Sequence, residues 1–427
     1  MAEITERTEH TRAASYLAEK GEVHRVLLLY SGGLDTSVML KWIQDEYDAE
    51  VVTLTVNLGQ PGEDYEVVEG KARTLGAAET FVVDAREEFA REYVLPSIRA
   101  NGLYGGGYPL FTALGRPLIA KLAVEYARRA GCDTIAHGCT GKGNDQVRIE
   151  ATVATLAPEL KVIAPVRGWQ MGREEEIEYA RTHGIPVKGP SEGPPPYSID
   201  DNLWGRSSEG RWIEELDHAP EDDVFQLVTP PERAPDEHQV VDVTFEQGVP
   251  VALDGERLEL VALLEHVAEI GCRHGVGIVD HIEDRIVGLK VRDIYEVPAA
   301  AIVLLAHQEL EKLVCTIHQN QFKVDLDRQW AYLVYAGLWW EPLRGDLDAY
   351  MERVNEQVTG TIGIKLYKGS ARVVTRASPN AVYDEALASF GASGGLFSQQ
   401  ASPGFIELWS LQSRMAWRLR NDPPAQP

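Results

Sequence analysis

An apolar run, Val26 to Tyr30, stops at Ser31-Gly32-Gly33 and passes directly into a helical pattern that begins with Asp35, Thr36 and Ser37. An uncharged run of this kind suits a strand buried on both faces of a parallel sheet. The two glycines lack Cβ atoms, so they can take positive φ and let backbone N–H groups approach an anion closely. The helix that follows, expected to reach about Tyr47, adds the positive end of its dipole at the same spot. Leu29, Tyr30, Ser31, Gly32, Gly33, Leu34, Asp35, Thr36 and Ser37 therefore make a candidate phosphate cradle. An ordinary strand-to-helix turn with Ser31 or Asp35 as a cap fits the same residues. The GK[ST] ending of a Walker A loop is missing.

Beyond that turn the pattern alternates strand and helix: a strand Val51 to Val56, a helix Asp64 to Leu75, a strand Thr80 to Asp84. After a glycine loop, Gly102 to Gly107, a helix is expected over Arg116 to Ala130, with Pro117 in its first turn. A strand Thr134 to His137, a helix Gln146 to Leu156, a strand Lys161 to Pro165 and a helix Arg173 to His183 complete a doubly wound α/β domain with a parallel sheet. The proline-rich stretch Lys188 to Ser198 reads as a boundary. Beyond it come a β-pair at Val240 to Phe245 and Val249 to Leu253, an amphipathic helix Leu258 to Ile270, strands in VGIVDHIEDRIVGL, and helices over Pro298 to Ile317 and Leu326 to Leu338. A hairpin follows, Thr361 to Leu366 with Ala371 to Thr375, turning at YKGS. The expected organisation is a polar arm 1–24 with a short helix near Ala13 to Lys20, a nucleotide-binding domain 25–187, an α+β domain 188–400, and a C-terminal helix and tail 401–427. Glu407 to Leu419 forms the core of that last helix. Its apolar surface suits docking on another subunit or packing on its own domain.

At 427 residues two domains are the natural expectation. The net charge of −25, with no compensating run of Lys and Arg, repels phosphate backbones and speaks against a nucleic-acid partner. Cys132, Cys139, Cys272 and Cys315 form no CxxC pair and read as free thiols in a reducing compartment. The N-terminus lacks the apolar core of a signal peptide, and no apolar run approaches the roughly 18 residues that would cross a bilayer. A cytoplasmic protein without a membrane partner is expected.

The second informative loop is HGCTGKGNDQVR, His137 to Arg148. It follows a strand, as the first loop does, and two such loops can face one crevice at the C-terminal edge of a parallel sheet. Gly138, Gly141 and Gly143 permit close backbone approach, while Asn144, Asp145 and Arg148 offer an amide, a carboxylate and a guanidinium. That mixture fits an amino-acid substrate, whose ammonium wants the carboxylate and whose carboxylate wants Arg148 or N–H donors. A capped helix with Arg148 paired to Asp145 on the surface fits equally well.

YSGGLDTS, VNLGQ (Val56 to Gln60), YPLFTALGRP (Tyr108 to Pro117), HGCTGKGNDQVR, KVIAPVR (Lys161 to Arg167), YSIDDNLWGRS (Tyr197 to Ser207) and HGVGIVDHIEDRIVGLKVRDIYEVP (His274 to Pro298) stand in one order along the chain. Together they resemble the argininosuccinate synthase family, and the first resembles the phosphate loop of the ATP pyrophosphatase superfamily. The resemblance implies ATP-dependent ligation of L-citrulline and L-aspartate in arginine biosynthesis, through a citrullyl adenylate, with AMP and pyrophosphate released and no covalent nucleophile. It implies ATP contacts from Leu29 to Ser37, Val56 and Gly138, and aspartate contacts from Thr140, Asn144 and Asp145. Citrulline contacts would come from Tyr108, Thr112, Asn144, Arg148, Ser198, Ser207, Glu283 and Tyr295. Mg²⁺ would travel with ATP, with Asp35 as a candidate ligand or else a helix cap. A homotetramer is implied as well. One departure stands in the citrulline segment: Ala113 occupies a position where the family pattern has Ser, so either Thr112 or backbone groups make that contact or the affinity for citrulline is weaker. Ammonia-using relatives would need a glutaminase partner, and no glutaminase-like cysteine motif is evident. A catalytically silent nucleotide-sensing or interaction protein would not need the polar residues of both loops.

Overall fold

In the computed structural model, which describes residues 14–169, 171–186, 197–388 and 398–421, β1 (Arg25–Leu29) buries Val26, Leu27 and Leu28 completely. The uncharged run that follows Arg25 can lie nowhere else without exposing a continuous apolar face. The chain continues through α1 (Leu34–Tyr47), β2 (Glu50–Asn57), α2 (Tyr65–Thr74), β3 (Glu79–Asp84), α3 (Phe111–Ala130), β4 (Thr134–Ala136), α4 (Asp145–Leu156), β5 (Lys161–Ile163) and α5 (Arg173–Thr182). The five strands pair in the order β3-β2-β1-β4-β5, all parallel. The direction of winding reverses between β1 and β4, so the loops leaving these two neighbouring strands flank the crevice where doubly wound sheets bind ligands.

Two local expectations give way to tertiary contacts. α3 begins at Phe111, and Pro117 lies inside it and not in its first turn. Tyr108 Oη does the work of a cap, accepting from Thr112 N at 3.0 Å and Ala113 N at 3.4 Å. A tyrosine folded back on the helix start leaves none of the Ser, Asp or Asn signals that mark a helix beginning. The expected helix near Lys20 shrinks to the one-turn segment Lys20–Glu22. Ahead of it Tyr16 O accepts from Val162 N at 2.9 Å and Ala18 N donates to Val162 O at 3.1 Å, so this part of the arm pairs with the open edge of β5. Residues 1–13 and most of the proline-rich stretch, 187–196, lie outside the described residues.

The next part of the chain builds two antiparallel sheets. β6 (Ser198–Asn202), β7 (Gly205–Glu209), β8 (Gln239–Glu246), β9 (Val249–Leu253) and β10 (Glu256–Arg257) precede α6 (Leu260–Arg273). β11 (Ile278–Asp284), β12 (Lys290–Glu296), α7 (Pro298–Val314), α8 (Ile317–Tyr335), α9 (Pro342–Asn355), β13 (Gly360–Tyr367) and β14 (Ser370–Ala377) complete it. The sheets run β10-β9-β8-β13-β14 and β11-β12-β7-β6. The β13–β14 hairpin turns at Lys368-Gly369, both with positive φ, as YKGS suggests. α8 starts well before Leu326 because Thr316 and Gln319 form a capping box. α9 and the β6–β7 hairpin have no counterpart in the sequence-based outline.

The β6–β7 hairpin is what brings the later chain to the crevice. Leu203 N donates to Leu58 O at 2.8 Å and the fully buried Trp204 donates from Nε1 to Pro109 O at 3.0 Å. One apolar cluster runs from Leu27 of β1 to Leu366 of β13, and the residues up to Asn380 form a single compact unit. A separate unit starts at Ala381. In it the helix expected over Glu407 to Leu419 is two, α10 (Ala401–Trp409) and α11 (Leu411–Asn421), broken at Ser410, whose hydroxyl donates to Glu407 O. A serine hydroxyl competing for backbone carbonyls weakens and bends a helix. Among the described residues no helix is long and apolar enough to cross a membrane.

Candidate active site

Where β1 ends, a cavity of about 380 Å³ opens, lined by Leu29, Tyr30 and Ser31, by Thr55, Val56 and Gln60 at the end of β2, and by Gly138 beyond β4. Gly32 takes φ +76°, and a Cβ there would stand 3.0 Å from the Val68 side chain. Gly33 occupies the N-cap position of α1, so no side chain blocks the approach to its first turn. Ser31 Oγ and Thr36 Oγ1 lie 3.2 Å apart across the loop, and Asp35 is exposed on the helix's first turn. Ser37 is buried: its Oγ donates to Gly33 O at 2.6 Å and lies 3.0 Å from Tyr30 Oη, so this hydroxyl shapes the loop and does not face the cavity. Lys71 of α2, which sequence reasoning missed, donates to Gly32 O at 2.8 Å.

A second cavity of about 260 Å³ adjoins the first, and Arg116, Gly138, Cys139 and Asp200 line both. Tyr108, Thr112, Thr140, Asn144, Asp145, Arg148, Ser207, Glu283 and Tyr295 all line this smaller cavity. Residues from nearly 190 positions of chain thus converge (295 − 108 = 187). Ser198 does not line it; it is exposed on β6, its hydroxyl 3.5 Å from Glu209 Oε1. Ala113 is fully buried in the core, while Thr112 Oγ1 contacts Tyr108 Oη and accepts from Arg148 Nη1 at 3.3 Å. Of these two neighbours, only Thr112 reaches the cavity.

The smaller cavity is a lattice of paired charges. Asp145 accepts from Arg116 Nε and from Arg148 Nη1, both at 2.8 Å, and Arg116 also donates to Asp200 at 2.6 Å. The surface Arg148–Asp145 pair considered from sequence is instead part of a largely buried network. Burial pushes the Asp145 carboxyl up, but the two guanidiniums outweigh it and hold it at about 2. Glu283 accepts from Tyr295 Oη and from Tyr335 Oη at 2.5 Å, and Asn144 Nδ2 donates to Tyr335 Oη at 2.7 Å. Tyr335, from α8, stacks on Tyr104 with centroids 3.5 Å apart. Burial pushes the Tyr108, Tyr295 and Tyr335 hydroxyls and the Cys139 thiol up, keeping them neutral. A buried neutral thiol is a weak nucleophile.

Arg148 itself is 3% exposed; its Nε donates to Tyr335 O at 3.1 Å, and its Nη2 makes no hydrogen bond within the protein. Sequence reasoning also missed Arg116, Asp200, Glu209, Arg285 and Asp293. Arg116, Asp200, Arg285 and Asp293 stand in the quoted segments YPLFTALGRP, YSIDDNLWGRS and HGVGIVDHIEDRIVGLKVRDIYEVP and only Glu209 lies outside them, but no local pattern selects any of the five. Among the described residues no three His, Cys, Asp or Glu side chains are grouped to hold a metal ion.

A glycine turn on the central strand of a reversed parallel sheet, with a polar crevice across it, defines an α/β enzyme of the ATP pyrophosphatase type. Residues 25–186 match the arginosuccinate synthase N-terminal HUP domain family, and residues 197–416 match the arginosuccinate synthase C-terminal domain family. The argininosuccinate synthase of Rubrobacter xylanophilus is 54% identical over 94% of this chain and 97% of its own. Those of Symbiobacterium thermophilum and Pyrococcus furiosus are 48% and 47% identical, each over 92% of this chain and over 97% and 95% of their own lengths. The chain belongs to the argininosuccinate synthase family.

Proposed function

We propose that the larger cavity holds ATP and the smaller one holds L-citrulline and L-aspartate, in an enzyme that joins the two amino acids to argininosuccinate. The observation that carries this division is the buried Arg148 Nη2, an N–H donor without a partner in a cavity that shares Gly138 and Arg116 with the larger cavity at the end of β1. A buried donor of this kind is costly until a carboxylate meets it. Citrulline's carboxylate suits Arg148 and Thr112, and its ammonium suits Glu283, while Thr140, Asn144 and Asp145 receive aspartate.

In the first step the ureido oxygen attacks the α-phosphorus and the bond to the β-phosphate oxygen breaks, releasing pyrophosphate. In the second, the aspartate amine, having lost a proton, attacks the ureido carbon, and AMP departs with the ureido oxygen. Both steps depend on positioning and on charge stabilisation. Gly32 and Gly33 let the backbone approach the departing pyrophosphate, and the head of α1 adds its positive potential. Lys71 holds the Gly32 carbonyl turned away toward α2. A Mg²⁺ ion arriving with the triphosphate would neutralise phosphate charge; Asp35 at the head of α1 is the candidate ligand, and among the described residues no closed cage of His, Cys, Asp or Glu is grouped for it. The exposed Leu408, Trp409, Trp417 and Leu419 support a homotetramer with α10 and α11 as contacts. The four free cysteines support a cytoplasmic setting.

The test is formation of AMP and pyrophosphate from ATP with citrulline present or omitted, and with aspartate present or omitted. Citrulline labelled with ¹⁸O in the ureido group should yield labelled AMP when all three substrates are supplied. Nucleotide cleavage without citrulline dependence would overturn the assignment.

A further inference from the structure

Asp293 of β12 is 4% exposed and lines the smaller cavity, yet its Oδ1 makes no hydrogen bond within the protein. The Arg285 guanidinium is 3.7 Å away, with its Nη2 donating to Glu209 instead. Asp293 Oδ2 lies 3.4 Å from Tyr295 Oη, which is already committed to Glu283. The cavity therefore contains two unsatisfied polar atoms of opposite kind: the donor Arg148 Nη2 and the acceptor Asp293 Oδ1. An α-amino acid carries the complement of both, a carboxylate and an ammonium. We propose that Asp293 joins Glu283 in recognising the α-ammonium of citrulline, and that citrulline binding is coupled to release of a proton from this carboxyl pocket. The assignment of Asp293 rests on the placement of citrulline in the smaller cavity.

The proton follows from the neighbours. Facing Asp293 are Glu209 of β7, Glu283 of β11 and Arg285 of the following turn, with His281 opposite it in the β11–β12 ladder. Glu209 stands on the same cavity wall as Asp293, on the strand β7 that pairs with β12, and carboxylates gathered in a buried site oppose one another's ionisation. Burial, with Glu209 and Glu283 beside it, pushes the Asp293 carboxyl up to about 7 against the opposing pull of Arg285. An arriving ammonium supplies the positive charge that favours ionisation. The proton leaves to solvent, and the carboxylate accepts a charge-assisted hydrogen bond in exchange.

Isothermal titration of citrulline at pH 7, with saturating α,β-methylene-ATP to block turnover, tests this in two buffers of different ionisation enthalpy. The wild type should release about half a proton per citrulline, as a group titrating near 7 requires. Asp293→Asn should bind citrulline about tenfold or more weakly, with buffer-independent heat. N-acetylcitrulline, which lacks the ammonium, should bind both proteins alike. Unchanged affinity for the ATP analogue in the variant checks that the cavity is folded. Citrulline binding with equal heats in both buffers, or undiminished in Asp293→Asn, overturns the role of Asp293 alone. Absence of citrulline binding to the wild type overturns the placement of citrulline and this inference with it.

Discussion

Arg116 Nε stands 2.8 Å from Asp145 Oδ2, joining a helix that precedes β4 to the loop that follows it. Arg116 lines both cavities, so one guanidinium organises the boundary between the two sites proposed for nucleotide and amino acids. Its charge is secured by Asp145 and Asp200, which outweigh the opposing effect of burial.

The Asp145 carboxyl, held at about 2 in the fold against 3.8 when unperturbed, links this network to pH. Its folded value is depressed, so its stabilisation is present above about pH 4 and is lost as pH falls toward 2. The difference corresponds to roughly 2 kcal/mol. Urea unfolding of Asp145→Asn should show a lower midpoint than wild type at pH 5, with the gap narrowing to about a third by pH 2.5. A constant gap across that window would contradict the pairing. The same variant should raise the KM for aspartate more than that for ATP.

Thr112→Val should weaken citrulline about tenfold while leaving ATP affinity intact, because the hydroxyl accepts from Arg148 and meets Tyr108 at the cavity wall. Ala113→Ser on that background should not restore binding, since Ala113 is fully buried away from the cavity. Competition binding with citrulline reads both outcomes.

Gly32→Ala combines a left-handed φ of +76° with a Cβ placed 3.0 Å from Val68. Strain of about 1–2 kcal/mol at the phosphate turn should raise the KM for ATP roughly tenfold, with citrulline affinity changed far less. Steady-state kinetics with each substrate varied in turn separates the two.

A chain ending at Asn380 removes the unit that carries α10 and α11. Multi-angle light scattering should show a smaller assembly than the full chain forms. A truncated protein that stays tetrameric would remove these helices from the assembly contacts. Their exposed Phe405, Trp409 and Trp417 are the residues at issue.

The strand-to-helix turn at Ser31 to Ser37 was legible because its determinants are local: an apolar run, two glycines and a helical period within a dozen residues. The same holds for the order of strands and helices through α5, for the β13–β14 hairpin and for the HGCTGKGNDQVR loop. The motifs in their order also carried the family resemblance and, with it, cavity-lining residues such as Tyr108 and Glu283, which no local pattern would have selected. Tertiary structure alone decided how those residues act. It put Tyr108 Oη at the head of α3, buried Ala113 while leaving Thr112 at the cavity, turned the Ser37 hydroxyl inward and bound Asp145 between two guanidiniums. It also brought Glu209 and Asp293 to one wall through the pairing of β7 with β12. Hydrogen bonding and charge pairing depend on approach in space between groups far apart in the chain, and a sequence records which groups exist before folding decides which of them meet.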